Sequence, residues 1–265
     1  MQYKPLFLVG LMVLLCGVAQ AQNLTQKEYT PDAVTDGYVG QVKRVLQVTY
    51  EAVVVDNDHM KKGDALERIE TVYNSRGQRR SMTYLSTEED IIFRTRYKHD
   101  GFGLCTLEHI VDNNEKVIGR TYYNYTSQNI LREIYVEDAE RQVESRTNYK
   151  YDDQGRISQL SYNDQYNNIF KREVYLYNPD GTIQKTLVYD RGDRKIQEWR
   201  FEYDKHRQAV SQTLYDYTED EPEVFFTLYR YDYDSRGNWV RKVEYSLDGD
   251  KMDPQYIIER KLEYF

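Results

Sequence analysis

Cysteine is scarce in this sequence, with two among 265 residues. Cys16 lies in an apolar run near the start of the chain, in a segment that we expect to be removed. Cys105 would then be the one thiol of the mature chain, so an intrachain disulfide is excluded even in a compartment that permits one. Lipidation at Cys16 is disfavoured, because the bulky Val13-Leu14-Leu15 precedes it.

Long apolar runs are also missing. The first apolar run, residues 6–18, has 13 residues, short of the ~20 that a membrane-spanning helix needs. It follows Lys4 and is followed by Ala19-Gln20-Ala21. A basic start, a short apolar stretch and a small-x-small end are typical of a secretory signal peptide, so we predict that residues 1–21 are one. The protein is then exported to the periplasm, the cell surface or the medium, without a transmembrane span in the mature chain.

Positive charge is in the minority and is not clustered along the sequence. The chain has 36 Lys and Arg against 44 Asp and Glu, a formal charge of −8, which becomes −9 when Lys4 is lost with the signal peptide. An acidic chain without a basic cluster disfavours nucleic acid and anionic membrane surfaces as partners.

Known catalytic motifs are absent from the sequence: it has no glycine-rich phosphate loop, nucleophile elbow or zinc-binding helix motif. His99, Cys105 and His109 lie close together, but their spacing matches no strong metal or nucleophile motif, and a small apolar role for Cys105 is favoured. The segment 232–237 resembles the start of a calcium loop, but Arg236 stands where an oxygen ligand is needed. We therefore predict a protein that is not an enzyme and has no cofactor or metal.

Tyrosine, by contrast, is abundant, with 27 residues, and many of them belong to a motif that recurs. The segment 149–155 reads YKYDDQG, and 26 residues later 175–181 reads YLYNPDG. The last motif position recurs five times at a step of 26 and once at a step of 30, at Gly77, Gly103, Asn129, Gly155, Gly181, Arg207 and Gly237. Glycine and asparagine reach positive φ most easily, and a short side chain able to cap a turn stands three positions earlier. The pattern predicts tight turns that close β-hairpins.

Before each turn, aromatic residues alternate with others, which places them on one face of a strand. Each unit then holds two strands and a tight turn, and a looser turn, such as residues 190–193, leads to the next unit. We expect an all-β fold: an antiparallel β-hairpin repeat array of about seven 26-residue units with about fourteen to sixteen strands, which forms a strongly twisted or curled sheet. Residues 41–265 would form this domain, and residues 22–40 a linker or arm. A membrane β-barrel is disfavoured, because neither face of the last strand is continuously apolar.

The aromatic rows can hold the sheet together or stack sugars. Because they recur in every unit, we favour the structural role for Tyr151, Tyr177, Tyr203 and Tyr233, and keep ligand binding as the alternative. Trp199 and Trp239 break the regularity and are the better candidates for a binding patch.

The motif Y-x-Y-D-x-x-G followed by an apolar strand resembles the YD-repeat, or RHS-repeat, family of secreted bacterial proteins. Residues 151–157 match its pattern through Gly155-Arg156, residues 233–239 are similarly close, and the resemblance covers about residues 68–265. It implies β-hairpins stacked side by side, export, and binding or scaffolding without catalysis. Large members of the family enclose a toxin domain in a hollow shell, for which about seven units are too few.

The function that we expect is that of a secreted or cell-envelope binding or scaffold module, with a protein or glycan of the envelope as partner. One alternative is a carbohydrate-binding protein or hydrolase of the envelope. Another is an inhibitor or immunity-type protein that uses its acidic face against a basic partner. Uncovered terminal strands would make self-association possible.

Overall fold

The computed structural model describes residues 30–56, 59–248 and 251–265. The predicted signal peptide and the first part of the predicted arm, residues 22–29, lie outside these described residues. In the described part of the chain, no helix is both long and apolar enough to cross a membrane.

The described residues form one short helix, α1 (Asp32–Thr35), and sixteen strands. The strands are β1 (Val42–Asp56), β2 (His59–Tyr73), β3 (Arg79–Leu85), β4 (Ile91–His99), β5 (Cys105–Asp112), β6 (Val117–Tyr125), β7 (Leu131–Asp138), β8 (Val143–Tyr151), β9 (Ile157–Asp164), β10 (Ile169–Tyr177), β11 (Ile183–Asp190), β12 (Lys195–Tyr203), β13 (Ala209–Asp216), β14 (Glu223–Tyr233), β15 (Trp239–Asp248) and β16 (Lys251–Tyr264).

The sixteen strands form a closed antiparallel barrel, in which each strand pairs with its neighbours in sequence and β1 pairs with β16. The prediction of an all-β antiparallel fold is confirmed, and the sheet that was expected to be strongly twisted or curled is a closed barrel and not an open sheet. Closure is favoured because it gives both terminal strands a partner: Val45 lies opposite Leu262, and Thr49 lies opposite Ile258. The backbone groups that an edge strand would leave unpaired are satisfied within the chain.

Twelve hairpin turns, at both ends of the barrel, share one hydrogen-bond pattern. At the end where β1 begins and β16 ends, called the terminal end, φ is positive at Gly77, Gly103, Asn129, Gly155, Gly181, Arg207 and Gly237. At the far end, φ is positive at Glu89, Glu115, Arg141, Asn167 and Asp193. In a far-end turn, the Asp190 N–H donates to Arg194 O at 3.0 Å and the Asp193 N–H donates to Asp190 O at 3.1 Å.

The prediction of a looser turn at residues 190–193 is therefore wrong, and the reason is a side chain. Asp190 Oδ1 accepts hydrogen bonds from the backbone N–H groups of Gly192 at 2.9 Å and Arg194 at 3.0 Å. These bonds stabilise the tight turn although its left-handed residue, Asp193, is not glycine.

An interaction between two distant strands shows which side chains belong to the inner wall of the barrel and which to the outer wall. Glu108 on β5 interacts electrostatically with Tyr149 on β8, three strands away. Side chains on strands that far apart converge only on the concave side, so Glu108 and Tyr149 belong to the inner wall. By strand alternation, His109 and its cross-strand neighbours Arg96 and Arg120 belong to the outer wall.

Residues 30–41, called the strap, lie along the terminal end. The Ala33 N–H donates to Gly77 O at 2.9 Å, in the turn between β2 and β3. At the other end of the strap, the Val39 N–H donates to Asn238 Oδ1 at 2.7 Å, and Asn238 Nδ2 donates to Val39 O at 2.9 Å. The strap thus links the turns on both sides of the seam where β1 meets β16.

A pair of glycine substitutions tests how the strap is seated. At Gly77, where φ is +75°, an added Cβ lies 2.7 Å from Pro31 Cβ, whereas at Gly237, where φ is +88°, it meets nothing within 4 Å. Both Gly77→Ala and Gly237→Ala incur left-handed strain of about 1–2 kcal/mol. Only Gly77→Ala also displaces the strap, so we expect it to lower the free energy of unfolding by a further ~1–3 kcal/mol.

The measurement is urea unfolding of both variants, followed by tryptophan fluorescence. Equal destabilisation by the two substitutions would contradict the contact between Pro31 and the β2–β3 turn.

Candidate functional site

A group of polar side chains, called the inner cluster, lies inside the barrel close to the strap. It comprises Asp36, Tyr73, Arg79, Tyr97, Glu108 and Tyr123. Arg79 Nε donates to Asp36 Oδ2 at 3.2 Å, and the Arg79 guanidinium lies 5.0 Å from the centre of the Tyr97 ring. The Tyr73 hydroxyl donates to the same Asp36 oxygen. An ion pair that is half-buried at both partners therefore joins the strap to the inner wall.

Glu108 is the most enclosed carboxyl of the inner cluster, with 5% of its surface exposed. Its carboxylate accepts a hydrogen bond from the Tyr123 hydroxyl. Burial raises the pKa of Glu108, although the hydrogen bonds from Tyr123 and Thr121 and the charge of Arg79 oppose that shift. The carboxyl group is thus held by a phenol, a threonine hydroxyl and a nearby cation, with little contact with solvent.

The structure places two of the three residues that were considered as a nucleophile or metal site together and the third apart: His99 and Cys105 lie opposite each other on β4 and β5. His99 Nε2 lies 2.8 Å from Asp32 Oδ2 of the strap. Cys105 is near the inner cluster, where burial, followed by the charges of Glu108 and Asp32, raises the pKa of its thiol. His109 lies on the outer wall, where burial and the cations Lys98, Arg120 and Arg96 lower its pKa. Among the described residues, no group of three His, Cys, Asp or Glu side chains could hold a metal ion.

The four candidate tyrosines have inward-facing hydroxyls close to protein atoms. Tyr151 donates to Leu131 O at 2.7 Å and Tyr177 donates to Ile157 O at 2.6 Å, so each spans two paired strands. Tyr233 donates to Asp204 Oδ2 at 2.7 Å. The Tyr203 hydroxyl is buried near the Ile183 backbone, without a hydrogen bond of normal geometry to any described residue.

Burial raises the pKa of Tyr151, Tyr177 and Tyr203 to about 12 each. These phenols therefore stay protonated at physiological pH and act as hydrogen-bond donors in the wall. Their role in ligand binding stays a prediction.

The two tryptophans are three strands apart and do not form one patch. The Arg260 guanidinium lies 3.4 Å from the centre of the Trp239 ring, and Arg260 Nε donates to Gln47 Oε1 at 2.9 Å. One face of Trp239 is thus covered by a cation that is itself held in place. Trp199 is half-buried on the inner wall, opposite Thr186 on β11 and Leu214 on β13.

The outer wall carries an open groove of about 840 Å³ over β2 to β5 and the turns at their terminal end, called the basic groove. Its cationic residues are Arg76, Arg80, Arg94, Arg96 and Lys98, with His99 and His109 beside them and Glu70 and Asp100 as the two carboxylates. Five cations against two carboxylates give this groove a positive excess on an otherwise acidic chain.

Sequence reasoning missed the basic groove because its charges come from separate strands. Ser81, Arg96 and His109 lie opposite one another on β3, β4 and β5, and Arg120 continues the row on β6. The one signal along the chain is the alternation of Arg94, Arg96 and Lys98, which places all three on the same face of β4.

Comparisons with known proteins identify the fold but no family. No protein family description and no curated protein matches the chain. A porin-like protein from Bacteroides uniformis ATCC 8492 aligns with a TM-score of 0.55 and 8% identity, over 85% of this chain and 99% of that chain. This likeness supports the barrel fold alone.

Two further alignments are too loose to support a conclusion. A porin-like protein from Bacteroides vulgatus ATCC 8482 aligns with a TM-score of 0.46 and 13% identity, over 85% of this chain and 99% of that chain. The TcdB2-TccC3-Cdc42 structure aligns with a TM-score of 0.29 and 13% identity, over 79% of this chain and 14% of that chain. By its fold, the protein is a sixteen-stranded antiparallel β-barrel.

The raised pKa of Cys105 predicts that its thiol reacts slowly in the folded protein. Because the thiolate is the reactive form, we expect the folded chain without residues 1–21 to react with a disulfide reagent at least about tenfold more slowly than the urea-unfolded chain. Absorbance of the released thiolate measures both rates, with Cys105→Ser as the blank. Equal rates in the folded and unfolded chain would contradict a buried, protonated thiol.

The raised pKa of Glu108 predicts that its contribution to the free energy of unfolding depends on pH. The folded state retains the proton above the pKa of an unfolded glutamate, about 4.3. The contribution of Glu108 to the free energy of unfolding therefore falls as the pH rises from there through the folded-state pKa. Relative to the parent protein, Glu108→Gln should become progressively more stable between about pH 4 and 7.

Urea unfolding at several pH values measures this change, and Glu88→Gln on an exposed turn is the control for loss of one carboxyl group. A stability difference between Glu108→Gln and the parent that is independent of pH would contradict the assignment.

Proposed function

We propose that this protein is an exported β-barrel of the cell envelope that acts as a non-enzymatic binding or scaffold module, with its outer wall in water. The observation that carries the proposal is the chemistry of that wall, which bears ion pairs between neighbouring strands around the barrel.

The outer-wall ion pairs span much of the sheet. Arg44 on β1 pairs with Glu70 on β2 and, at 2.9 Å, with Glu263 on β16. Further pairs, each between adjacent strands, are Arg146–Glu133 at 3.1 Å and Arg241–Asp232 at 3.4 Å. An Arg or Lys on a lipid-facing wall costs about 2–4 kcal/mol at the bilayer midplane. A wall that bears such charged side chains on many of its strands is suited to contact with water.

The inner wall supports a scaffold role, because its polar groups bind one another. Glu173 accepts hydrogen bonds from Lys171 at 2.9 Å, Tyr162 at 3.0 Å and Tyr175 at 2.5 Å. Burial raises the pKa of Tyr162 and of Tyr175. These groups stiffen the wall from within, and the surface that remains available to a partner is the outside of the barrel.

The envelope location rests on the sequence of residues 1–21, which has the pattern of a secretory signal peptide. The fold is similar to that of a porin-like protein, and such barrels normally face lipid with an apolar band. The charged outer wall of this chain favours a different use of the same fold, as a water-exposed module in the exported compartment.

Cell fractionation tests this proposal. Expressed with residues 1–21 in a bacterium with two membranes, the protein should be recovered without that segment from the periplasm or medium, and should stay in solution without detergent. An outer-membrane porin of the host serves as the control that requires detergent. Retention in the membrane pellet after alkaline carbonate washing would contradict a water-facing barrel, and retention in the cytoplasm would contradict export.

A further inference from the structure

We propose that the basic groove binds an acidic polysaccharide, a chain of sugars that carries carboxylate or sulfate groups. This inference deepens the proposed function and rests on it, because it names the class of ligand that an exported binding module would take.

The cations of the basic groove are available to a ligand. Arg80 and Lys98 are exposed, and neither forms an ion pair with any residue that the structure describes. Arg94 and Arg96 share one partner, Glu115, whose side chain is 52% exposed. Since an exposed ion pair of this kind is worth at most about 1 kcal/mol, an anionic ligand can replace Glu115 at little cost.

The carboxylates of the basic groove do not cancel its charge. Glu70 forms an ion pair with Arg44, which lies outside the groove. Asp100 accepts hydrogen bonds from the backbone N–H groups of Phe102 and Leu104, both at 2.9 Å, within its own turn. A positive potential therefore remains over Arg80, Arg96 and Lys98.

The pKa of His109 is lowered, in keeping with this positive potential. After burial, the causes of this lowering are the charges of Lys98, Arg120 and Arg96. These three cations stand on β4 and β6, the two strands that flank His109 on β5.

The spacing of the cations suits an extended chain. Arg94, Arg96 and Lys98 succeed one another on one face of β4, about 7 Å apart. Arg96 and Arg120 lie in one cross-strand row with His109 between them, which places them about 10 Å apart. Guanidinium groups bind carboxylate and sulfate oxygens through paired N–H donors, so this grid can contact successive acidic sugars.

The neutral groups near the groove favour sugars over nucleic acid. Ser81 supplies a hydroxyl to the groove, which suits a hydroxyl-rich ligand. Proteins that bind single-stranded nucleic acid stack bases on open aromatic faces. Here the Tyr97 ring lies under Arg79, and the nearby Tyr122 and Tyr135 stack on each other at 4.7 Å.

The experiment uses the chain without residues 1–21 and immobilised probes: oligogalacturonate as the carboxylated chain, dextran sulfate as the sulfated chain and dextran as the neutral control. Arg80→Gln combined with Lys98→Gln removes two of the groove cations that form no ion pair with a described residue. Lys150→Gln combined with Lys205→Gln removes two exposed lysines outside the groove and keeps the net charge matched.

We expect the parent protein to bind at least one acidic probe and not dextran. Binding should weaken about tenfold or more in the groove variant and less than about twofold in the control, and it should weaken as salt screens the charges. Lys98→Gln alone, the milder change, should lower affinity about threefold and is the test if the double variant does not fold.

Three outcomes would overturn the inference: no binding to either acidic probe, equal binding by the groove variant and the parent, or tighter binding to single-stranded DNA or phosphatidylglycerol vesicles than to both polysaccharides. A protein that is exported and soluble but shows one of these outcomes contradicts the ligand class alone. A protein that stays in the membrane contradicts the proposed function itself.

Discussion

The pairing of β1 with β16 is the interaction on which the rest of the structure depends. It turns a run of hairpins into a closed wall, and closure creates the difference between inside and outside. Without that pairing, residues such as Glu108 and Tyr149 would lie on one face of an open sheet and would not approach each other across three strands. The strap reinforces the seam, because it is hydrogen-bonded to turns on either side of it.

Closure also assigns different chemistry to the two walls. The inner wall near the terminal end is enclosed by the strap, and its polar groups satisfy one another, as Arg79 does with Asp36. The outer wall is charged and largely paired across strands, as Arg146 is with Glu133. In the basic groove, cations outnumber their carboxylate partners, which is why a binding function is proposed there and not for the tyrosine rows.

Part of this fold could be predicted from local sequence. The spacing of Gly77, Gly155 and Gly181 and the alternating aromatics indicate hairpins, because turn chemistry and strand alternation are local properties. The far-end turns were underestimated, because residues such as Glu89 and Arg141 occupy the left-handed position without being glycine. The recurring acid that stabilises those turns at 112, 138, 164 and 190 was the available signal.

Closure and the basic groove could not be predicted in this way. Pairing Val45 with Leu262 depends on the accumulated twist and register of the intervening strands. The groove depends on which residues of β3, β4 and β5 lie opposite one another. The role of Trp239 was obscured for the same reason, since the cation that covers it, Arg260, comes from β16.

Amide hydrogen exchange of β1 and β16 is the most direct test of the closed barrel. In a closed wall, the amides of residues 44–50 and 257–263 are protected on both sides of each strand, to a degree similar to those of β7 and β8. An open sheet would leave every second amide of both terminal strands without a partner. Protection across both segments is the predicted result, and rapid exchange at alternate amides of β1 and β16 would contradict it.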